Sequence, residues 1–206
     1  MSLELATGPA AGGAGHLAAI FLAAALTNNI ALTGFLGMCS FIALSKNTRV
    51  ACGMGVAVTV VTVLTVTVNW LVNRLLLVPL QLEIFQFLVF VLTIAALVQL
   101  LELIGDRFFP ALHSAFGIYL PLITVNCAIL GASLFMLNHA YDLAEAVCFA
   151  LGVGVGWTLA IVTLGGLRHH LVFAAPPRHL GEVGTTMVLA GLMAMAFAGF
   201  AGLVKL

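Results

Sequence analysis

Charge is what this chain has least of. Seven Lys and Arg and seven Asp and Glu make up 7% of its 206 residues, where a soluble domain carries roughly 25%. So little charge does not solvate a chain of this size in water. The net charge of zero says nothing about nucleic acid by itself, but no basic stripe is present and no nucleic-acid partner is expected. Cys-x-x-Cys spacing is missing, which removes the common zinc and dithiol motifs. There is also no Gly-rich strand–turn–helix fingerprint for a nucleotide phosphate. Finally, the residues before the first apolar stretch contain Glu4 and neither Lys nor Arg. A signal peptide needs a basic leading region, so this stretch reads as a first span that is retained.

What is present is apolar. Hydrophobic residues are 63% of the chain and mean hydropathy is +1.24. A spanning helix needs about 20 mostly apolar residues, and six such segments are expected, near 16–38, 50–72, 84–105, 114–137, 143–166 and 183–204. The expected fold class is an all-α polytopic membrane protein, one membrane domain over 1–206 with no room for a soluble catalytic domain. Lys46, Arg49, Arg107, Arg168 and Arg178 fall in connections on one side, and only Arg74 and Lys205 on the other. By the positive-inside rule the first group is cytoplasmic and both termini face outward. His169, His170 and His179 share the cytoplasmic side; beside Arg168 they read as a headgroup-level loop in preference to a metal site.

The chain also repeats itself. Thr27-Asn28-Asn29-Ile30-Ala31 lies over Thr124-Val125-Asn126-Cys127-Ala128 at an offset of 97, which without gaps also matches Gly34 to Gly131, Val50 to Val147, Gly55 to Gly152, Val58 to Val155 and Pro79 to Pro176. Repeat 1 covers about 16–105 and repeat 2 about 114–204. Each holds three spans, an odd number, so the second enters the membrane in the opposite direction: an inverted-topology repeat. In such folds interrupted helices mark the functional site. Here helix 1 carries Thr27, Asn28, Asn29, Gly34 and Gly37 in mid-segment, and helix 4 carries Gly117, Pro121, Thr124, Asn126 and Gly131. Proline removes a backbone donor, and Asn and Thr side chains re-satisfy the groups so freed. The plainer reading is that Gly and Pro are simply frequent in membrane helices and the asparagines serve packing.

Four cysteines are present. Cys52 and Cys148 sit at nearly equivalent repeat positions among small apolar neighbours, as cysteines acting as small buried hydrophobes do. Cys39 and Cys127 lie beside the interruptions, where backbone N–H groups can turn toward sulfur. A thiolate in hydrocarbon is costly unless a metal neutralises it, and two thiolates are half of the usual four-cysteine set of an iron–sulfur cluster. On residues alone, four ordinary membrane cysteines and a metal-ligating pair both stay open.

Several motifs carry a resemblance. They are Phe-Leu-Gly-Met-Cys-Ser-Phe at 35–41, Ser45-Lys46, Asp-Arg-Phe-Phe-Pro at 106–110, the stretch Gly117–Ala128 ending in Thr-Val-Asn-Cys-Ala, and Gly154-Val155-Gly156-Trp157. Together they resemble the paired six-span subunits of the sodium-translocating NADH:quinone reductase and the related Rnf ferredoxin:NAD complex, over nearly the whole chain from about residue 17. Most of these motif versions look most like the E-type subunits of the quinone reductase, whereas the closing Gly-Leu-Val-Lys-Leu looks like the A-type subunit of Rnf. The resemblance implies a homologous D-type partner of opposite orientation, with each of the two chains giving two cysteines to one [2Fe–2S] cluster near the membrane midplane. Carried over by motif, the two in this chain are Cys39 and Cys127. It implies further A-, B-, C- and F-type subunits, with NADH, FAD, FMN and quinone held only on those, and residence in the bacterial cytoplasmic (inner) membrane. It also implies electron passage from the cytoplasmic F-type flavoprotein to an outer flavin on the C-type subunit, coupled to sodium export.

Two other classes remain in view. Inverted repeats with broken helices also characterise secondary transporters, but the breaks hold Asn and Thr and no charge. A purely structural assembly subunit would make the cysteines dispensable. One acidic residue falls plausibly within a span: Glu102, three positions after Gln99, so that both project from one face of the third span near its cytoplasmic end. An ionisable group there is a functional candidate by default, here as part of a sodium entrance. With Asp106 and Arg107 one turn on, an anchoring role at the headgroup boundary is equally open.

Overall fold

The computed structural model describes residues 14–46, 48–80, 83–108, 123, 126–171 and 181–199. Gly117, Pro121, Thr124, Pro176, Arg178, His179 and Lys205 lie outside the described residues, as do the side chains of Arg49 and Asp106. Among the described residues all regular structure is helical.

α1 (Ala14–Leu22) runs into a widened π turn, Ala23–Thr27, closed by the Asn28 N–H on the Ala23 carbonyl at 2.7 Å. The chain is then irregular until α2 (Met38–Leu44). α3 (Thr48–Val72) continues through a second π turn, Asn73–Leu77, into a last helical turn, Val78–Leu80. That carries it past the expected end and takes Pro79 out of the connection. Proline has no N–H to give the ladder, and a π turn is where a ladder adjusts. A 3-10 turn, Glu83–Phe85, leads into α4 (Gln86–Phe108). α5 is Cys127–Asn138, α6 is Leu143–Leu171 and α7 is Gly181–Ala198. α6 absorbs His169 and His170, expected in a loop, into its last turn. Basic residues there complement the free carbonyls of the helix end.

Among the described residues four stretches are long and apolar enough to cross a membrane: Val50–Leu77, Gln86–Ile104, Leu143–His170 and Gly181–Ala198. Gly15–Thr27 and Cys127–Asn138 are shorter apolar helices. The protein is a polytopic, all-helical membrane protein. α3 and α6 form its centre, while α4 and α7 leave most of their surface outward.

The α3–α6 pair is the most extensive contact, and glycine makes it. Gly55 faces Thr158, and a Cβ at Gly55 would lie 2.3 Å from Thr158 Cγ2. Gly154 faces Thr59 in return, with 2.7 Å left to its Cα. Each threonine hydroxyl donates back to the glycine carbonyl one turn earlier, both at 2.8 Å. Small residues one turn apart let helix backbones approach where lipid supplies no hydrophobic drive. By packing role, Gly55 and Thr59 therefore correspond to Gly154 and Thr158, not to residues at the offset of 97. The opposite face of α6 is also glycine: a Cβ at Gly152 or Gly156 would lie 2.7 Å from the carbonyl oxygen of Phe21 or Ala25 respectively. Glycines at 152, 154 and 156 thus seat α6 between α1 and α3.

Gly154→Ala sets a methyl against Thr59 Cα, which no side-chain rotation relieves. We expect it to cost about 1–3 kcal/mol, read as a lower unfolding midpoint of the detergent-solubilised protein. Gly166→Ala meets nothing within 4 Å and is expected to stay within about 0.5 kcal/mol of the native protein.

Candidate functional site

The interruption after α1 is organised by one side chain. Asn29 is buried; its amide nitrogen donates to the Ala25 carbonyl at 3.1 Å and to the Gly156 carbonyl of α6 at 2.7 Å. Its amide oxygen accepts the Ala31 N–H at 3.1 Å. Asn126, 97 positions later, repeats the last bond: its oxygen accepts the Ala128 N–H at 3.1 Å and caps α5. A side-chain oxygen on an N–H two residues ahead satisfies a donor that the irregular backbone leaves free.

The irregular stretch after α1 and the start of α5 meet at Gly37. Its φ is +80°, a region where a Cβ is strained, and no Cβ fits. It would sit 2.9 Å from Asn126 Oδ1, 2.9 Å from Trp157 Nε1 and 3.2 Å from Ala128 Cβ. Only glycine lets the backbone come this close, and its N–H donates to Cys127 Sγ at 2.8 Å. Cys127 is the first residue of α5 and half-buried; Cys39 is the second residue of α2 and exposed. Both cysteines therefore occupy first turns of short helices that start beside one glycine. First-turn N–H groups have no partner within their own helix.

Two further donors point into this junction. Asn126 Nδ2 and Trp157 Nε1 are buried and have no hydrogen-bond partner. Each costs about 1–3 kcal/mol if left so. Unused N–H groups fit an electron-rich centre, because such a centre accepts hydrogen bonds. Among the described residues no group of three or more His, Cys, Asp or Glu gathers that could hold a metal ion.

The remaining candidates are scattered. Cys52 is exposed and Cys148 half-buried. Neither is the fully buried small hydrophobe expected, because helices that are apolar all round give no sign of which face meets lipid. Gln99 is exposed and Glu102 partly so, near the end of α4. His169 and His170 stack edge to face at 6.2 Å.

Two features went unread in the sequence. Arg168, only 12% exposed, ties down the far end of α2: it donates to the Ile42 carbonyl at 3.1 Å, Ser45 Oγ at 2.6 Å and Glu182 Oε1 at 2.7 Å, where Lys46 also pairs. Its motif signal was only a basic residue at a span end. A cavity of about 170 Å³ lies on the other side of the interruption, lined among others by Asn28, Thr33, His139 and Tyr141. Burial, and secondarily the Glu145 carboxylate, push the Tyr141 phenol above its ordinary pKa, so it stays protonated there.

Comparison with known proteins places this geometry. Residues 17–204 match the family described as Rnf-Nqr subunit, membrane protein. A Nitrosomonas europaea protein, named as the E subunit of a Na(+)-translocating NADH-quinone reductase, is 49% identical over 197 residues, covering 91% of this chain and 98% of its own. Proteins of the same name from Haemophilus ducreyi and Neisseria gonorrhoeae are each 47% identical, over 194 and 193 residues, with the same coverage.

Gly37→Ala combines a left-handed φ with a closed pocket. We expect it to pull α2 from Cys127 and to speed maleimide labelling of Cys127 several-fold in a variant retaining that cysteine alone, about 1–3 kcal/mol of lost local stability. Unchanged labelling would mean the junction tolerates a methyl.

Proposed function

Because the chain belongs to the Rnf-Nqr family of membrane-protein subunits, we propose that it is the E-type membrane subunit of a sodium-translocating NADH:quinone reductase and holds half of a [2Fe–2S] cluster. The names of its relatives support the complex. One observation supports the cluster: Cys127 sulfur takes the Gly37 N–H while Cys39 stands two residues from that glycine.

Cys39 and Cys127 are the ligands, and two ligands from one chain leave the set open. A homologous six-span subunit of the D type supplies the other pair. The exposure of Cys39 supports a site completed from outside this chain. When bound, the cluster supplies one-electron carriage between the cytoplasmic F-type flavoprotein and the outer flavin of the C-type subunit. The chain's own residues do the holding. Gly37 brings its amide to sulfur, Asn126 caps the helix that starts at Cys127, and Arg168 anchors the helix that carries Cys39. The indole and amide N–H groups of Trp157 and Asn126 stand ready for negative charge. The paired Asn29 and Asn126 bonds and the reciprocal Gly55–Thr158 and Gly154–Thr59 contacts support two inverted three-helix repeats, interrupted in helices 1 and 4. Both termini face outward across the inner membrane. Gln99 and Glu102 border a cytoplasmic sodium entrance.

Cys39→Ala or Cys127→Ala in the assembled complex is expected to remove the cluster's iron and its electron paramagnetic resonance signal and to stop quinone reduction, with NADH oxidation by the cytoplasmic flavin intact. Cys52→Ala and Cys148→Ala are expected to keep both, at a cost of about 1 kcal/mol. Equal iron loss in all four variants, or a full cluster in the isolated chain, would contradict the shared site. Glu102→Gln is expected to raise the sodium concentration for half-maximal quinone reduction while activity at saturating sodium persists. An unchanged midpoint leaves Glu102 an interfacial anchor.

A further inference from the structure

A second set of unpaired polar atoms lies away from the cysteines, and its chemistry is the opposite. Inside α3, Thr65 and Asn69 are both fully buried. They are four residues apart and so share one face, one turn above the other. Thr59, Thr62 and Thr67 of the same helix each donate their hydroxyl to the carbonyl four residues back, at 2.7–2.8 Å. Thr65 does not: its hydroxyl has no partner, although the same backbone geometry offers the Val61 carbonyl.

Asn69 is fixed in orientation by its neighbour. Its Nδ2 donates to Ser133 Oγ of α5 at 2.9 Å, and Ser133 Oγ in turn donates to the Ile129 carbonyl at 3.2 Å. The single hydroxyl proton of Ser133 is thereby spent, so Ser133 can only accept from Asn69. The amide nitrogen must face it, and the amide oxygen, Oδ1, points elsewhere with no partner. Buried side-chain oxygen that nothing protonates is costly, about 1–3 kcal/mol for each group. Here two such oxygens stand on one helix face with the Ser133 oxygen at hand.

We propose that this face of α3 with Ser133 is a binding site for a partly dehydrated sodium ion, ligated by Thr65 Oγ1 and Asn69 Oδ1. Hydroxyl, amide and peptide oxygens are the ligands hard cations take, and in membrane sites they stand in for the hydration shell. The site holds no carboxylate, which suits weak binding and ready release. Its depth fits passage. Trp70, next along, donates its indole N–H to the Tyr141 carbonyl at 3.1 Å and carries Arg74 over its ring at 5.2 Å, as interfacial aromatic and basic residues do. Asn69 is next to Trp70 at this belt and Thr65 lies one turn deeper, about 6 Å along the axis, on the side that the charge distribution makes the outer one. The inference rests on the sodium-translocating reading above, and adds a binding site on its exit side.

The test uses the whole purified complex with sodium chloride as the probe, potassium chloride holding ionic strength. Sodium-induced thermal stabilisation without NADH, and the sodium midpoint of quinone reduction, are both read. Thr65→Val removes the hydroxyl at constant shape and is expected to raise both midpoints about three- to tenfold, with iron content unchanged. Thr65→Ser restores them, and Asn69→Asp, which adds charge to the site, lowers them. Identical midpoints in Thr65→Val and Asn69→Asp overturn the site and leave the parent reading standing. A native complex indifferent to sodium in both readouts overturns the parent reading itself.

Discussion

Hydrocarbon offers a peptide group no partner, so wherever a membrane helix opens, the protein itself must bond what the helix releases. The break after α1 and the start of α5 are answered in the same way, by an asparagine whose oxygen takes the N–H two residues on. Asn29 goes further and spends its amide protons on α1 and on α6. With the released backbone tied off locally, the chain turns at Gly37 without water, and two short helices can begin side by side. The placement of Cys39 and Cys127 follows from that solution.

The unpaired polar atoms sort themselves by chemistry. At Gly37 the unsatisfied groups are N–H donors, from Asn126 and Trp157, beside sulfur. On α3 they are oxygens, from Thr65 and Asn69. A low-dielectric interior magnifies the cost of each, and their segregation places sites for negative and positive charge in different parts of one small bundle.

Some of this was legible in the sequence. Asn28-Asn29 and Asn126 stand out because amides are rare in apolar runs, and the interruption after α1 lies where they announced it. The Gly154-Val155-Gly156-Trp157 motif was visible as well, but its partners on α1, α3 and Gly37 are distant in the chain. Asn29 and Asn126, 97 positions apart, make the same bond, whereas Gly55 and Gly154, which play the same packing part, stand 99 apart. Small-residue periodicity fits several registers, and only contact chooses among them. Cys52 was expected to be buried and is exposed, since composition cannot tell lipid from protein as a neighbour. Thr65 looks like any membrane threonine in the sequence; only the structure shows its hydroxyl without a partner.

The short helix α2 is a strut pinned at both ends. Its seven residues span about 10 Å, with Arg168 gripping one end and the Gly37–Cys127 bond seated at the other. A rod this short has no interior turn in which to dissipate a displacement. A movement of Glu182 or Lys46 is therefore passed along the whole of α2, and how firmly Cys39 is held is set at the opposite end of its helix, where Arg168 binds.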